Sequence, residues 1–157
     1  MDAPKASAPN APNAPKAYTF DDLVTIAGPS NMSMCNMDRT SAVQEKYIRT
    51  LQSRPSDFDF YTYIFNNNEA WVIKLNDFPY NVCDGIVHYI LWIRDCTMTL
   101  LEYKVYIQNI INNELNELNT LNESNNLVWF INSPEFRSVK SIFHAHIFIK
   151  ACAIKYD

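Results

Sequence analysis

Only two glycines, Gly28 and Gly85, occur in the 157 residues of this chain, 57 positions apart. A phosphate-cradling P-loop or a dinucleotide-binding turn needs two or three glycines in one turn, because only glycine lets the backbone close on a phosphate. Neither motif is present. Collagen, a glycine-hinged lid and a Gly/Ser linker fall to the same count. With 48% hydrophobic residues and 13% aromatics, the length suits one compact domain with a sizeable core.

Charge narrows the partners. Thirteen Lys and Arg stand against seventeen Asp and Glu, a net charge of −4, and no stretch gathers the basic residues a duplex-binding face requires. Duplex nucleic acid is therefore not an expected partner, whereas a phosphorylated small molecule needs only a few donors in a pocket. No run of about 18 apolar residues occurs and no apolar signal core opens the chain. These features predict a soluble cytoplasmic protein with no membrane association. Cys35, Cys83, Cys96 and Cys152 are widely spaced, with no C-x-x-C pair, so buried or incidental thiols are expected.

Residues 1–17 repeat an Ala-Pro-Asn theme and hold no large apolar residue after Met1. The expectation is a disordered tail, followed by a single α+β domain over 18–157. Thr19 and Asp22 have capping-box spacing ahead of Phe20, Leu23, Val24 and Ile26, and Gly28-Pro29 ends that helix. After a polar, Met-rich connector (30–39), Ser41 and Gln44 open a second helix carrying Val43, Tyr47, Ile48 and Leu51 on one face. Tyr61–Phe65 and Trp71–Leu75 read as strands joined by Asn66-Asn67-Asn68. Residues 86–94 (IVHYILWIR) read as a strand buried on both faces. From Leu100 to about Leu121, Leu100, Ile107, Ile111, Leu115 and Leu118 mark a long helix. Strands over Leu127–Ile131 and Ser141–Ile149 complete a largely antiparallel sheet with N-terminal helices and one long helix packed on it.

Three histidines carry the candidate chemistry. His144 and His146 are two apart on a predicted strand, so both imidazoles project from one face. Two polar rings on an otherwise apolar strand need hydrogen-bond partners or a ligand. Two chemistries would use them. One imidazole can attack phosphorus while its neighbour and nearby donors hold the phosphate oxygens. Alternatively, the pair with His88, and Asp77 or Asp84, can ligate a metal through neutral nitrogens. The sequence names no cofactor and leaves the oligomeric state open.

The order Asn132, Ser138-Val139, His144, His146, behind a strand ending at Arg94 and a long helix, resembles a divergent histidine-triad layout. That resemblance implies His144 as nucleophile, Asn132 and Ser138 at phosphate or ribose, and Tyr80 or Trp92 walling a base. The first triad histidine is replaced here by Ile142, and Glu135-Phe136-Arg137 stands where that superfamily has a glycine step. Arg137 is then the candidate phosphate clamp. A second resemblance covers most of residues 40–150. Leu75-Asn-Asp-Phe-Pro-Tyr80, Gly85-Ile86-x-His88 and Asn132-x-Pro134…Ser138-Val139…His144-x-His146 are similar to the N-acetylglucosamine-induced protein family, of unknown biochemical function. It implies that His88, His144 and His146 belong to one pattern.

Three functional expectations follow. The leading one is binding or hydrolysis of a phosphorylated, nucleotide-like ligand, with His144 and His146 catalytic and His88, Asn132, Ser138, Arg137, Tyr80 and Trp92 contacting the ligand. The others are a metal-binding protein using His88, His144 and His146, and a non-catalytic structural or interaction protein, for example a virion component.

Overall fold

The computed structural model describes residues 16–115 and 126–153. Most of the expected N-terminal tail and the end of the long helix, including Leu118, lie outside the described residues.

Helix α1 (Phe20–Ala27) begins at a full capping box: the Thr19 hydroxyl accepts from the Asp22 N–H and the Asp22 carboxylate from the Thr19 N–H. It ends at Gly28, whose φ of 57° lies in the region that favours glycine. Within the presumed connector, Met32–Ser33 form β1, a two-residue strand the polar composition did not announce. Helix α2 (Ser41–Ser53) is capped by Thr40 rather than Ser41. None of its residues is buried, and Ile48 and Leu51 keep 45% and 44% of their surface.

The largest departure from expectation is at Tyr61–Phe65. Instead of a strand, Phe60–Ile64 form helix α3, because the Asp59 carboxylate accepts from the Tyr61 and Thr62 N–H groups. Capping outweighs the β-rich composition, and Phe60 and Ile64, four apart, reach the same apolar cluster. The hairpin lies one element later. Strands β2 (Trp71–Leu75) and β3 (Ile86–Ile93) pair antiparallel, and residues 76–85 form the long loop between them.

Strands β4 (Leu127–Asn132) and β5 (Phe143–Lys150) complete a five-stranded sheet of order β1-β4-β5-β3-β2. Every pairing is antiparallel except β1 with β4. The fold is α+β, as expected. Helix α4 (Leu100–Glu114) covers one face of the sheet. Its inward stripe is Tyr103, Ile107, Ile110 and Ile111, while Leu100, expected inward, is 42% exposed. These side chains meet Leu91, Ile93, Trp129, Ile131, Ala145 and Ile147 in a wholly apolar layer. Each large aliphatic side chain buried there contributes about 1.5–3 kcal/mol.

The opposite face is divided. One cluster gathers Leu23 and Ala27 of α1 with Tyr80, Phe130 and Phe148; the other gathers Ile64 and Phe65 with Ile90, Trp92 and Ile142. The histidines fill the ground between them. The thiols are free but mostly not buried: Cys35, Cys96 and Cys152 are exposed and Cys83 is half-buried.

Candidate functional site

Register brings the histidines together. Trp92 lies opposite His144, Ile90 opposite His146, and His88 opposite Phe148, so alternation puts His88, His144 and His146 on one face of the β3–β5 ladder. All three are buried. His88 and His146 are hydrogen-bonded, Nε2 to Nδ1, at 2.9 Å.

Their proton positions follow from neighbouring groups whose polarity is fixed. The Tyr80 N–H donates to His88 Nδ1 at 3.2 Å. The Asn76 amide, turned by its oxygen accepting from the Phe78 N–H, stands 3.3 and 3.4 Å from the two His88 ring nitrogens. A neutral His88 that accepts at Nδ1 carries its proton on Nε2 and donates to His146. His146, accepting at Nδ1, is then protonated at Nε2. That nitrogen lies 3.2 Å from a terminal atom of the Asn132 amide, which also lies 2.8 Å from the Tyr80 hydroxyl. A nitrogen there would set donor against donor. The network therefore places the Asn132 amide oxygen at that point and its NH2 at the buried position that has no protein partner.

His144 is held differently. Its Nδ1 lies 2.9 Å from the Ile142 carbonyl, an acceptor, so Nδ1 carries the proton and Nε2 keeps a lone pair. Burial, reinforced by nearby positive charge, depresses all three basicities. His88 falls to about 3, through burial first and then Arg39 and His144. His144 falls to about 4, burial outweighing its hydrogen bond to Ile142. His146 falls well below its ordinary range, through burial, then His88, His144 and Arg39. At neutral pH the cluster is uncharged. Burial likewise raises the Tyr80 phenol.

Above the histidines lies a cleft of about 580 Å³, roofed by α2, α3 and the 76–78 loop. His144 and His146 are at its floor, with Trp92 and Ser138 in its walls. His88 and Tyr80 line a smaller hollow of about 320 Å³, and touch the cleft lining through His146, Asn76 and Arg39. Asn132 supports His146 from beneath. Arg137 is not in the cleft wall: its Nε donates to the Asn132 carbonyl and its guanidinium lies over Phe143, which belongs to the α4 side of the sheet. Burial lowers its pKa from the ordinary arginine value.

The sequence reading missed the cations that do line the cleft. Among the described residues, Arg39, Arg54, Lys74 and Lys140 face it with a single carboxylate, Asp77. Arg39 lies over the Tyr47 and Tyr80 rings, Arg54 over Phe58 and Phe60, and Lys74 over Tyr63. From Arg54 to Tyr63 the chain holds one basic residue ahead of four aromatics and two aspartates, so no run of basic residues announced the cleft. The three-histidine metal site does not form as raised. His88 Nε2 is spent on His146 Nδ1, and among the described residues no group of three or more His, Cys, Asp or Glu side chains is placed to hold a metal ion.

Residues 30–150 match the family described as "Protein of unknown function (DUF3605)". An uncharacterized protein of Saccharomyces cerevisiae, YPL067C, is 32% identical over 98 residues, covering 54% of this chain; the match spans 46% of that protein's length, so this chain corresponds to about half of it. The crystal structure of HTC1 superposes with a TM-score of 0.61 over 85% of each chain at 21% identity, a likeness of fold. No described helix is long and apolar enough to cross a membrane.

Proposed function

The chain belongs to the DUF3605 family, and from that premise we propose that it binds a phosphorylated, nucleotide-like ligand in the cleft over His144 and His146. One observation carries this reading: a cleft with four cations, one carboxylate and several aromatic rings, set directly on two neutral imidazoles. Cations hold the phosphate, aromatic faces take the base, and a neutral imidazole accepts a hydrogen bond without repelling the cations beside it. The sequence block that resembles the histidine-triad layout lies within the family match and supplies the cleft's floor and one wall.

The His144 geometry supports a chemical step in the same site. With Nδ1 donating to Ile142, the Nε2 lone pair is free to attack phosphorus, forming an N–P bond as the ester oxygen leaves with a proton from water. Water then attacks the phosphohistidine, releases phosphate and restores the imidazole. Ser138, in the cleft wall, is the candidate donor to the phosphate oxygens.

Thermal-shift and calorimetric titrations with nucleotides and sugar phosphates test the binding reading. A rise in Tm with nucleotides, lost in His144→Ala, His146→Ala, is the expected result. No shift with any phosphorylated ligand overturns it. Release of inorganic phosphate separates hydrolysis from binding alone.

A further inference from the structure

The charge balance of the cleft carries a statement about how many phosphates its ligand bears. We infer that the ligand holds two or more phosphate groups and binds as the free polyanion, without a divalent cation bridging it to the protein. This inference rests on the proposed nucleotide site and names its substrate class.

Arg39, Arg54, Lys74 and Lys140 all face the cleft, and among the described residues Asp77 is the only carboxylate that lines it. In a chain with more acidic than basic residues, chance placement would mix the signs. Among the described residues, ion pairs join only Arg49 to Glu45 and Arg94 to Glu69, so none of the four cleft cations is neutralised by a carboxylate. Three of them rest on aromatic faces instead. An aromatic face positions a cation through its quadrupole yet leaves the net charge intact. The fold thus holds positive charge in place without cancelling it.

A single phosphomonoester brings a charge of about −1.5 to −2 at neutral pH, less than the surplus of four cations over one carboxylate. A second phosphate group closes that difference. The floor adds no charge, because His144 and His146 are neutral at that pH. Mg²⁺ that bridges polyphosphates to proteins is bound through one or two carboxylates plus the phosphates, and among the described residues the cleft offers one, Asp77, beside four cations that repel a divalent ion. Free Mg²⁺ therefore competes with the cleft for the phosphates. The aromatic lining gives the base its own share of the affinity.

The experiment is a calorimetric titration of the full chain with AMP, ADP, ATP and inorganic tripolyphosphate, in excess EDTA and again in Mg²⁺. Affinity is expected to rise at least tenfold from AMP to ADP in EDTA, and to fall severalfold when Mg²⁺ is added. Tripolyphosphate is expected to bind more weakly than ATP. Arg54→Gln, which removes one of the four cleft cations, should shrink the AMP-to-ADP step severalfold, and an unchanged step overturns the inference. Equal affinities for AMP and ADP, or tighter binding in Mg²⁺, overturn the inference while leaving the nucleotide site standing. Absence of binding by every nucleotide overturns both.

Discussion

His88 Nε2 donates to His146 Nδ1 across 2.9 Å, and the proton on that bond is fixed by a backbone amide, the Tyr80 N–H, on the far side of the His88 ring. The backbone amide of a loop residue thus sets the tautomer of a histidine on β5 through the hydrogen bonds of a second ring. The orientation of the Asn132 amide follows from it.

The first prediction concerns those protons. Long-range 1H–15N correlation of the histidine rings at pH 7 should show His88 and His146 as Nε2–H tautomers and His144 as the Nδ1–H tautomer. A His88 ring protonated at Nδ1 would contradict the assigned network.

The bond itself should be measurable by a double-mutant cycle. His88→Leu and His146→Leu each leave a buried partner unpaired, at a cost of about 1–3 kcal/mol. Their effects should be non-additive by about 0.5–3 kcal/mol, because the second substitution removes a group the first has already orphaned. Additive losses in urea denaturation would mean the two rings are energetically independent.

Stability should fall with acid in a definite window. The three histidines titrate near 6.5 in the unfolded chain, but the folded values lie lower, about 3 for His88, about 4 for His144 and well below the ordinary range for His146. Below pH 6.5 the unfolded state takes up protons that the folded state refuses, so stability is full above the unfolded pKa. It is lost as pH falls toward the folded values, with a slope of about 1.4 kcal/mol per pH unit for each histidine. Denaturation midpoints at pH 7, 6 and 5 give the slope above the range where ordinary carboxylates protonate. A flat profile from pH 7 to 5 would refute the buried neutral assignment.

Asp59→Ala should cost about 0.5–2 kcal/mol, the usual loss for an N-cap carboxylate, with an unchanged denaturant m-value. Asp59→Asn, which keeps an acceptor, should recover most of it. Equal losses in the two variants would show that charge, and not capping, is what Asp59 contributes.

Helix α3 also shows where the sequence could be read and where it could not. Period and capping disclosed α1, β3, α4 and β5, because each has a long apolar repeat or a Thr cap close to its first turn. Tyr61–Phe65 was read as a strand because its residues favour sheets, and a single carboxylate two positions upstream overrode five side-chain preferences. Strand β1 escaped notice because two residues hold no period; its partner β4 lies some hundred positions away. Likewise, His144 and His146 were legible as a pair from alternation alone. Arg39, Lys74 and Lys140 were not, since separate elements bring them to one cleft and no local spacing encodes that meeting.

Helix α2 should exchange its amide hydrogens far faster than β5. It buries no side chain, and its ring contacts are Tyr47 and Lys46 against Phe78 and Arg39 against Tyr47, whereas Ala145, Ile147 and Phe148 of β5 have no exposed surface. Exchange rates that differ by less than tenfold would show α2 to be part of the cooperative core.

The apolar layer beneath α4 and the histidine face share a sheet but no side chains. Substitutions that remake the cleft leave Tyr103, Ile107 and Ile111 in their places, so the scaffold can be inherited intact while its specificity diverges. For an engineer the same separation reads as permission: the cleft can be redesigned for a new ligand against a foundation that does not have to be re-solved each time.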